Sequence, residues 1–275
     1  MNGMNKKPNN LVVLVKGGGE MATGVVHRLV SSHLRICMTE VPFPQAVRRE
    51  VAFSEAVFDK EKEVEGIVAR RVDSPDQIPM TWKEGKVPLL IDPEANVITL
   101  LKPDVIIDAT LAKKNLGIKI MDAPLTIGLG PGFHAGRDVH VVIETNRGHN
   151  LGRIISSGEA EPNTGIPGAI GGYTEERVIR APTNGIFGTM KKIGDDVRAD
   201  ETIGIVGHAS VQARIAGVIR GLLRDGTTVW KGMKLGDVDP RGIKANCYTI
   251  SDKARTISGG VLEAILDRFG GMSNG

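Results

Sequence analysis

The second half of the chain contains a direct repeat with a period of 32 residues and no gap between the two copies. Glycines and small apolar residues carry the match, and they recur in pairs: Ala181 with Ala213, Gly185 with Gly217, Gly194 with Gly226, Val197 with Val229, Gly204 with Gly236 and Val206 with Val238. Self-similarity at a fixed spacing indicates duplication of one supersecondary unit. Two copies are too few to form a solenoid, so we expect them to close on each other.

Each copy has the pattern of paired strands, with glycine-containing turns between alternating apolar residues. The strings Ala181-Pro-x-x-Gly185 and Ile193-Gly194-Asp195-x-Val197 resemble the half-repeat of the biotinyl/lipoyl-like fold, and the resemblance covers residues 178–239. It implies a small all-β barrel of two four-stranded halves. Carrier proteins with this fold hold their cofactor on a lysine in the hairpin between the halves. Residues 207–212 contain no lysine, so no biotin or lipoate attachment is expected.

The first half of the chain alternates short apolar runs with segments of helical spacing. Residues 11–15 form an apolar run that ends in a lysine and three glycines, as expected for a buried parallel strand. A helix is predicted at 21–32, and further helices at 76–84 and 93–100. The other predicted strands are at 34–39, 66–69, 87–91, 105–108, 125–129, 139–143 and 153–156. This alternation favours an open, mostly parallel sheet with helices on both faces and a mixed or antiparallel edge.

The glycines after the first run fit a dinucleotide-binding fingerprint. Gly17-x-Gly19-x-x-Ala22 matches G-x-G-x-x-G/A between a strand and a helix, where glycines allow a tight turn and a close approach of phosphate. Glu40 ends the second strand, about where the ribose-binding acid falls in such units. The alternative is a turn that binds nothing, with Glu40 as a solvated carboxylate. The predicted cofactor-binding residues of this region are Gly17, Gly18, Gly19, Met21, Ala22 and Glu40.

A second glycine-rich loop follows the strand at 125–129. Its N–H groups at Gly128, Gly130 and Gly132 are candidates to cradle a phosphate or a pterin edge, and the alternative is a plain turn. Arg48 and Arg49 either reach an anionic ligand beside the second strand or are solvated.

One cysteine near the end of the chain is the only catalytic candidate. Ser251 has the position of an N-cap for a helix that runs to about Arg268. Cys247 lies just ahead of that helix, whose N-terminus would favour the thiolate. We therefore consider Cys247 as a transient carrier of sulfur or selenium, and a buried inert cysteine as the alternative.

Composition excludes several classes of protein. The net charge is +3 and the basic residues are scattered, so no nucleic-acid partner is expected. No apolar run reaches the ~18–20 residues of a membrane helix, so no membrane partner is expected. Cys37 and Cys247 form no pair with metal-ligand spacing, and no metal site is predicted. A reducing cytoplasm is the natural setting, and a homo-oligomer is left open.

These patterns together predict the fold class and the domains. The class is α/β, with a Rossmann-like, mostly parallel sheet domain, a small all-β biotinyl/lipoyl-like barrel made of two 32-residue half-repeats, and a C-terminal helix. The predicted domains are a nucleotide- or cofactor-binding domain at 1–160, the barrel at 173–240, and a C-terminal segment at 241–275 whose helix docks back on the first domain.

Longer strings resemble one protein family. V-K-G-G-G-E-M-A-T-G at 15–24, M-T-E-V-P at 38–42, I-G-L-G-P-G-F at 127–133, E-T-N-R-G-H at 144–149 and D-V-D-P-R at 237–241 are similar to the YqeB-type proteins, with likeness from about 11 to 266. Such proteins are associated with selenium-dependent molybdenum hydroxylases and are considered maturation factors. Their first domain is similar in type to that of xanthine dehydrogenase accessory proteins.

The resemblance implies a maturation or accessory factor that binds a phosphate-bearing cofactor, either the molybdenum cofactor or a dinucleotide, and assists its modification or insertion into an apo-hydroxylase partner. Two other functions stay open at this point. One is an NAD(P)-dependent oxidoreductase with Glu40 on the ribose. The other is a non-catalytic scaffold that uses the barrel to bind partners.

Overall fold

The computed structural model describes residues 11–270, which form two compact units. Unit 1 contains residues 11–44, 52–163 and 250–270, and unit 2 contains residues 45–51 and 164–249. Whether 1–160, 173–240 and 241–275 are independent domains stays a prediction.

Unit 1 carries all the α-helices of the described chain and eleven short strands. The strands are β1 (Val12–Lys16), β2 (Arg35–Glu40), β3 (Glu61–Val64), β4 (Ile67–Val72), β5 (Val87–Ile91), β6 (Val105–Asp108), β7 (Leu125–Leu129), β8 (His134–Ala135), β9 (Val141–Ile143), β10 (Ile154–Ile155) and β11 (Gly158–Glu159). The helices are α1 (Glu20–Ser31), α2 (Ala56–Asp59), α3 (Ile78–Lys83), α4 (Ile98–Leu101) and α5 (Asp252–Phe269). None of the described helices is long and apolar enough to cross a membrane.

A nine-stranded sheet forms the centre of unit 1, in the order β10-β9-β7-β6-β1-β2-β5-β4-β3. The neighbours from β9 to β4 are parallel, whereas β10 and β3 pair antiparallel at the two edges. Of the last strands, for which a mixed or antiparallel edge was predicted, β9 is parallel to β7 and β10 is antiparallel to β9. Strands β8 and β11 form a separate antiparallel pair. Since β1 lies in the middle with parallel neighbours, the loop after it opens at the carboxyl edge of the sheet.

The two long helices α1 and α5 lie side by side and run in the same direction. A Cβ atom at Gly24 would lie 2.8 Å from Cβ of Ala254, so only glycine allows this approach. One turn further along α1, Arg28 donates a 2.7 Å hydrogen bond to Ser258 Oγ. The contacts therefore advance in step along both helices, and the two N-termini lie at the same end. Ser251 caps α5 by accepting from the Ala254 N–H at 3.3 Å, as predicted.

Unit 2 consists of two four-stranded antiparallel sheets. Its strands are β12 (Val178–Arg180), β13 (Gly185–Thr189), β14 (Asp196–Val197), β15 (Thr202–Val206), β16 (Ala209–Gln212), β17 (Gly217–Leu222), β18 (Thr227–Val229) and β19 (Lys234–Asp239). The sheet orders are β12-β19-β17-β14 and β16-β15-β13-β18. Each sheet takes two strands from each copy of the repeat, so neither copy can complete a sheet alone. The core between them contains Phe187, Ile219 and Leu235, all fully buried.

The fold class predicted from the sequence is wrong. The large sheet is mixed rather than a Rossmann-like layer with a helix after each strand, because only α1 and α5 are longer than six residues. The segments from β6 to β7 and from β7 to β9 contain no α-helix, and the helix predicted at 93–100 shrinks to α4. Residues 178–239 form two separate antiparallel sheets rather than one biotinyl/lipoyl-like barrel. The described chain is a mixed α/β structure with additional antiparallel sheets.

Two adjacent glycines of α5 test how tightly this helix is packed. A Cβ atom at Gly260 would clash with the carbonyl oxygen of Gly152, whereas one at Gly259 would meet nothing within 4 Å. We expect Gly260→Ala to lower the free energy of unfolding by about 1–3 kcal/mol through overpacking. Gly259→Ala should instead raise it by up to about 1 kcal/mol, because alanine is the better helix former. Urea unfolding of both variants measures the difference, and equal effects would show that α5 does not pack as described.

Candidate functional site

The loop after β1 is shaped by Gly17. This residue has φ +98°, a conformation that favours glycine. Its N–H donates a 2.8 Å hydrogen bond to the Thr39 carbonyl. A Cβ atom here would lie 3.2 Å from the backbone of Ala109 and Thr110. Gly17 therefore serves the turn and the close approach of the loop after β6, and its side-chain position is filled by protein.

Gly18 is also enclosed by protein. Its carbonyl accepts a 2.9 Å hydrogen bond from the Ser54 N–H, and its own N–H donates to Glu40 Oε2 at 2.7 Å. A Cβ atom at Gly18 would lie 2.8 Å from Ser54 N. The segment after residue 51 thus packs directly on the glycine loop.

Gly19 differs from the two glycines before it. It is the N-cap of α1, with φ −68° and ψ −177°, and a Cβ atom there would meet nothing within 4 Å. No side chain caps the helix. Within residues 11–270, the N–H groups of Gly19, Met21 and Ala22 make no hydrogen bond. Ala22 is fully buried, and no described residue accepts a hydrogen bond from its N–H.

Glu40 supports the loop instead of facing solvent. Its Oε2 accepts from Gly18 and its Oε1 accepts from the Val41 N–H, both at 2.7 Å. Burial raises the pKa of this carboxyl, and the two backbone donors oppose the rise. Glu40 is therefore half-buried and bound to the backbone, rather than fully solvated. A role on a ribose stays a prediction, although both oxygens already accept a backbone hydrogen bond.

Three buried oxygen atoms around the glycine loop have no hydrogen-bond partner. They are Thr39 Oγ1, Ser54 Oγ and Asp108 Oδ2, and all three residues are fully buried. Thr39 contacts Gly17 and Ser54 contacts Gly18, while Asp108 directly precedes Ala109, which lies beside Gly17. Buried polar atoms are rarely left unpaired in proteins. Their concentration here marks the carboxyl edge around β1 as the part of unit 1 where a ligand would supply missing partners.

Asp108 and Lys16 form a buried pair of opposite charge on neighbouring strands. They are register partners across β6 and β1, and neither is more than 5% exposed. Asp108 Oδ1 accepts from Thr110 Oγ1 at 2.6 Å, while Lys16 Nζ donates to the Leu116 carbonyl at 3.0 Å. Burial raises the pKa of Asp108 above its ordinary value, although Thr110 and the charge of Lys16 lower it. The carboxyl is thus poised to take up a proton more readily than an exposed aspartate.

The N-terminus of α5 adds a lysine that sequence reasoning missed. Lys253 lies in the first turn of α5, and its pKa is lowered by burial and by the charge of Arg147, against the opposing effects of Glu20, Glu144 and Asp252. Glu20 begins α1, so these charges connect the starts of both helices. The Ser251 cap signals a helix start in the sequence, but nothing there shows that this start lies beside α1.

The second glycine loop is packed by protein at all three predicted positions. A Cβ atom at Gly128 would lie 2.5 Å from the Phe133 ring, one at Gly130 would clash with Thr145 Oγ1, and one at Gly132 would clash with the backbone of 113–114. Their use by a cofactor stays a prediction, but each glycine already has a packing role. The plain-turn alternative explains them without a ligand.

Cys247 lies in a 3-10 turn of unit 2 (Lys244–Cys247), and α5 begins only at Asp252. It is fully buried, and burial raises the pKa of its thiol despite the charges of Arg48 and Arg220. The neutral thiol is therefore favoured, which does not help a sulfur or selenium carrier. Arg48 is buried as well and donates to the carbonyls of Asn246 and Thr249, both at 3.0 Å, so the solvated reading is wrong for it.

The described residues hold no group of three or more His, Cys, Asp or Glu side chains that could bind a metal ion. The unpaired N–H groups at the start of α1 make binding of an anion the chemistry that the carboxyl edge of unit 1 supports. It offers donors at the start of α1, space over Gly19 and two helix N-termini.

A known protein that is similar to this chain has the same name as the family to which the sequence strings are similar. The chain is 48% identical over 255 residues to a protein of Escherichia coli (strain K12) named "Uncharacterized protein YqeB". The aligned part covers 93% of this chain and 47% of that protein, so the chain spans about half the length of the curated relative it matches. No family model matches the chain. The relative's name carries no function.

Solved structures give only distant matches. They include the ectoine utilization protein EutE (DoeB) from Ruegeria pomeroyi, 12% identical with a TM-score of 0.26, over 83% of this chain and 85% of that chain. A succinylglutamate desuccinylase/aspartoacylase from Rhodobacter sphaeroides is 13% identical with a TM-score of 0.26, over the same shares. TM-scores this low support no argument about the chemistry of this chain.

Asp108→Asn tests whether the buried carboxyl costs stability when it is ionised. Because its pKa is raised in the folded state, the stability it contributes is present below its ordinary pKa and is lost as the pH rises through the folded value. Asparagine resembles the protonated form at every pH. We expect the variant to be more stable than wild type at pH 7, by about 1 kcal/mol, and this difference to shrink toward pH 4. Thermal unfolding across this range measures it.

The exposed residue Asp267 of α5 provides a control through Asp267→Asn. This variant makes the same change of charge without changing a buried group. A stability difference for Asp108→Asn that is constant with pH would contradict the raised pKa.

Proposed function

We propose that this chain is an accessory factor for a selenium-dependent molybdenum hydroxylase, and that it binds a phosphate-bearing cofactor at the start of α1 before the cofactor is modified or inserted. The observation that carries the binding step is the set of N–H groups at Gly19, Met21 and Ala22 that no described residue accepts from, beside the open side-chain position of Gly19. The unfilled side-chain position at Gly19 leaves room for a phosphate against the backbone.

The electrostatics of the edge favour an anion at this position. The start of a helix carries a partial positive charge of about half a unit. Because α1 and α5 are parallel neighbours, both N-termini contribute at the same edge. Lys253, with its lowered pKa, adds a cation that gives up its proton more readily than an exposed lysine. These features support phosphate binding in general and do not distinguish a pterin from a dinucleotide.

The link to a hydroxylase has a different basis. It rests on the strings that resemble YqeB-type proteins and on the relative with that name, which is about twice as long as the matched region. The proposal therefore includes the activity of the full-length protein, the cofactor and the apo-hydroxylase partner. The residues that would hold the cofactor's phosphate are Gly19, Met21 and Ala22, and the cofactor itself would supply the redox chemistry when it is bound.

An NAD(P)-dependent oxidoreductase is less well supported. That function needs Glu40 to accept hydrogen bonds from a ribose, but both of its carboxylate oxygens already accept from backbone N–H groups at 2.7 Å. Native mass spectrometry of protein from its own host separates the two: a bound molybdopterin species supports delivery, whereas a bound dinucleotide favours the oxidoreductase.

Gly19→Val tests the binding step without disturbing the fold. Valine tolerates the extended backbone at Gly19, and its Cβ would meet no protein atom within 4 Å. Because valine is a poorer N-cap residue than glycine, the thermal midpoint should fall by no more than about 2–4 °C. The branched side chain would occupy the space over the N–H groups, so affinity for pyrophosphate, ADP and NAD+ should fall at least about tenfold for whichever of these binds to wild type. Isothermal titration calorimetry provides the measurement.

Gly259→Ala is the matched control, because it also fills open space at a glycine but lies in the middle of α5. Its affinity should equal that of wild type. If Gly19→Val binds as tightly as wild type, the glycine loop is only a turn. A hydroxylase that matures normally in cells carrying Gly19→Val would contradict the delivery role even where binding is lost.

A further inference from the structure

Arg220 of unit 2 is a buried cation without a hydrogen bond. The residue is 8% exposed, and its side chain is 10% exposed. Its Nε is fully buried and has no hydrogen-bond partner. Within the described chain its only charged contact is with Asp239 Oδ2, 3.9 Å from Nε, which is too long for a hydrogen bond. A guanidinium has five N–H donors, so burying it in this way is costly unless a partner is supplied.

The side chain of Asp239 is already engaged by another arginine. Arg241 donates from Nε to Oδ1 at 2.9 Å and from Nη2 to Oδ2 at 2.6 Å. Burial acts to raise the pKa of Asp239, but Arg241 and the charge of Arg220 outweigh it and hold the pKa below its ordinary value. The neighbouring Asp237 is bound by Arg177 and Lys234, both at 3.3 Å. The nearby carboxylates are thus shared with other cations, and Arg220 is left without a partner of its own.

A β-bulge places Arg220 where it is. In the pairing of β17 with β19, Ile219 is opposite Val238 and Gly221 is opposite Asp237, so Arg220 is the extra residue. Bulges of this kind redirect a side chain and are over-represented beside functional sites. The adjacent Gly221 has no room for a side chain, because a Cβ atom would lie 2.8 Å from Val47 Cγ1. The bulge and the close packing at Gly221 therefore fix the position of Arg220.

The bulge at Arg220 is present in the second copy of the repeat and absent from the equivalent strand pair of the first copy. The position 32 residues earlier is Gly188, which pairs regularly with Ile205 on β15 without a bulge. Ile205 is 39% exposed, whereas its counterpart Asp237 is 3% exposed. Two copies of one unit would keep the same pairing if only folding mattered. The second copy has instead gained a bulge, a buried arginine and buried aspartates at equivalent places.

Two further segments of unit 2 enclose the surroundings of Arg220. Residues 45–51 contribute the Val47 carbonyl, which accepts from the Leu222 N–H at 2.8 Å, and the buried Arg48. The turn Lys244–Cys247 contributes Cys247, whose sulfur lies 3.7 Å from the Ile219 carbonyl. The charges of Arg48 and Arg220 both act on this thiol. Two arginines and a buried thiol therefore share one neighbourhood.

We propose that Arg220 binds a small oxyanion, a carboxylate or a phosphate group, in unit 2 beside Cys247. A planar guanidinium matches both groups through two parallel hydrogen bonds. The Arg220 side chain keeps 10% of its surface exposed, and this is the part through which an anion would contact it. This site lies in a different unit from the start of α1 and does not depend on the proposed cofactor binding.

The test uses the full chain with Gly19→Val as the background, which removes the anion site proposed in unit 1. Inorganic phosphate and sodium acetate are titrated by calorimetry at an ionic strength held constant with sodium chloride. In the same background, Arg220→Met should weaken binding about ten- to hundredfold, because the charge-assisted hydrogen bonds are lost. Arg198→Met, which removes an exposed arginine of unit 2, is the control and should bind as before. Preference for phosphate or acetate tells which oxyanion the site takes.

Stability separates this site from a purely structural arginine. Without added oxyanion, Arg220→Met should unfold at the same temperature as its background or higher, and phosphate should raise the midpoint only when Arg220 is present. A midpoint that phosphate raises equally with and without Arg220 would overturn the proposal, as would absence of binding to both anions. If Arg220→Met does not fold, Arg220→Lys keeps the charge without the planar fork, and unchanged affinity in that variant would also overturn it.

Discussion

The close contact of α1 with α5 is the interaction on which the carboxyl edge of unit 1 depends. Gly24 leaves no side chain between the helices, and Arg28 joins them through a hydrogen bond between residues 230 positions apart. A helix from the end of the chain is thereby fixed beside the first helix, with the same polarity. The electrostatic field at this edge is the sum of two helix ends. The loop after β1 would otherwise rely on a single short helix.

Sequence patterns predicted where strands lie far better than how they are layered. The predicted runs at 87–91, 105–108 and 125–129 are β5, β6 and β7 without adjustment, because a buried strand requires a continuous apolar run that turns polar at its end. The layers depend on tertiary choices that such runs do not encode. Residues 93–100 have a helical start signal, yet Asp92 accepts the Val97 N–H and forms a turn before a single helical turn follows. The helix predicted at 93–100 is reduced to α4 for this reason.

The two glycine-rich loops show why a site is harder to predict than a strand. Both have glycines in a loop that follows an apolar strand, and composition does not separate them. In the second loop, Phe133 and Thr145 occupy the space beside Gly128 and Gly130. In the first, only Gly19 faces open space. A glycine that serves packing differs from one that can bind a ligand in what lies beside it in space. Ser54, for example, fills the space beside Gly18, although it is distant from the glycine loop in the sequence.

The insertion of residues 45–51 into unit 2 affects how the protein can be divided. The chain passes from one unit to the other four times, and Val47 supplies the acceptor for the Leu222 N–H of β17. A contiguous fragment covering 164–249 would expose that strand position and lose the segment that packs on Gly221. Unit 2 can fold during synthesis only after both residues 45–51 and residues 164–249 have emerged. The long loop between these two segments therefore closes late. Proteolytic or genetic dissection at the boundaries of the repeat would therefore yield an incomplete module.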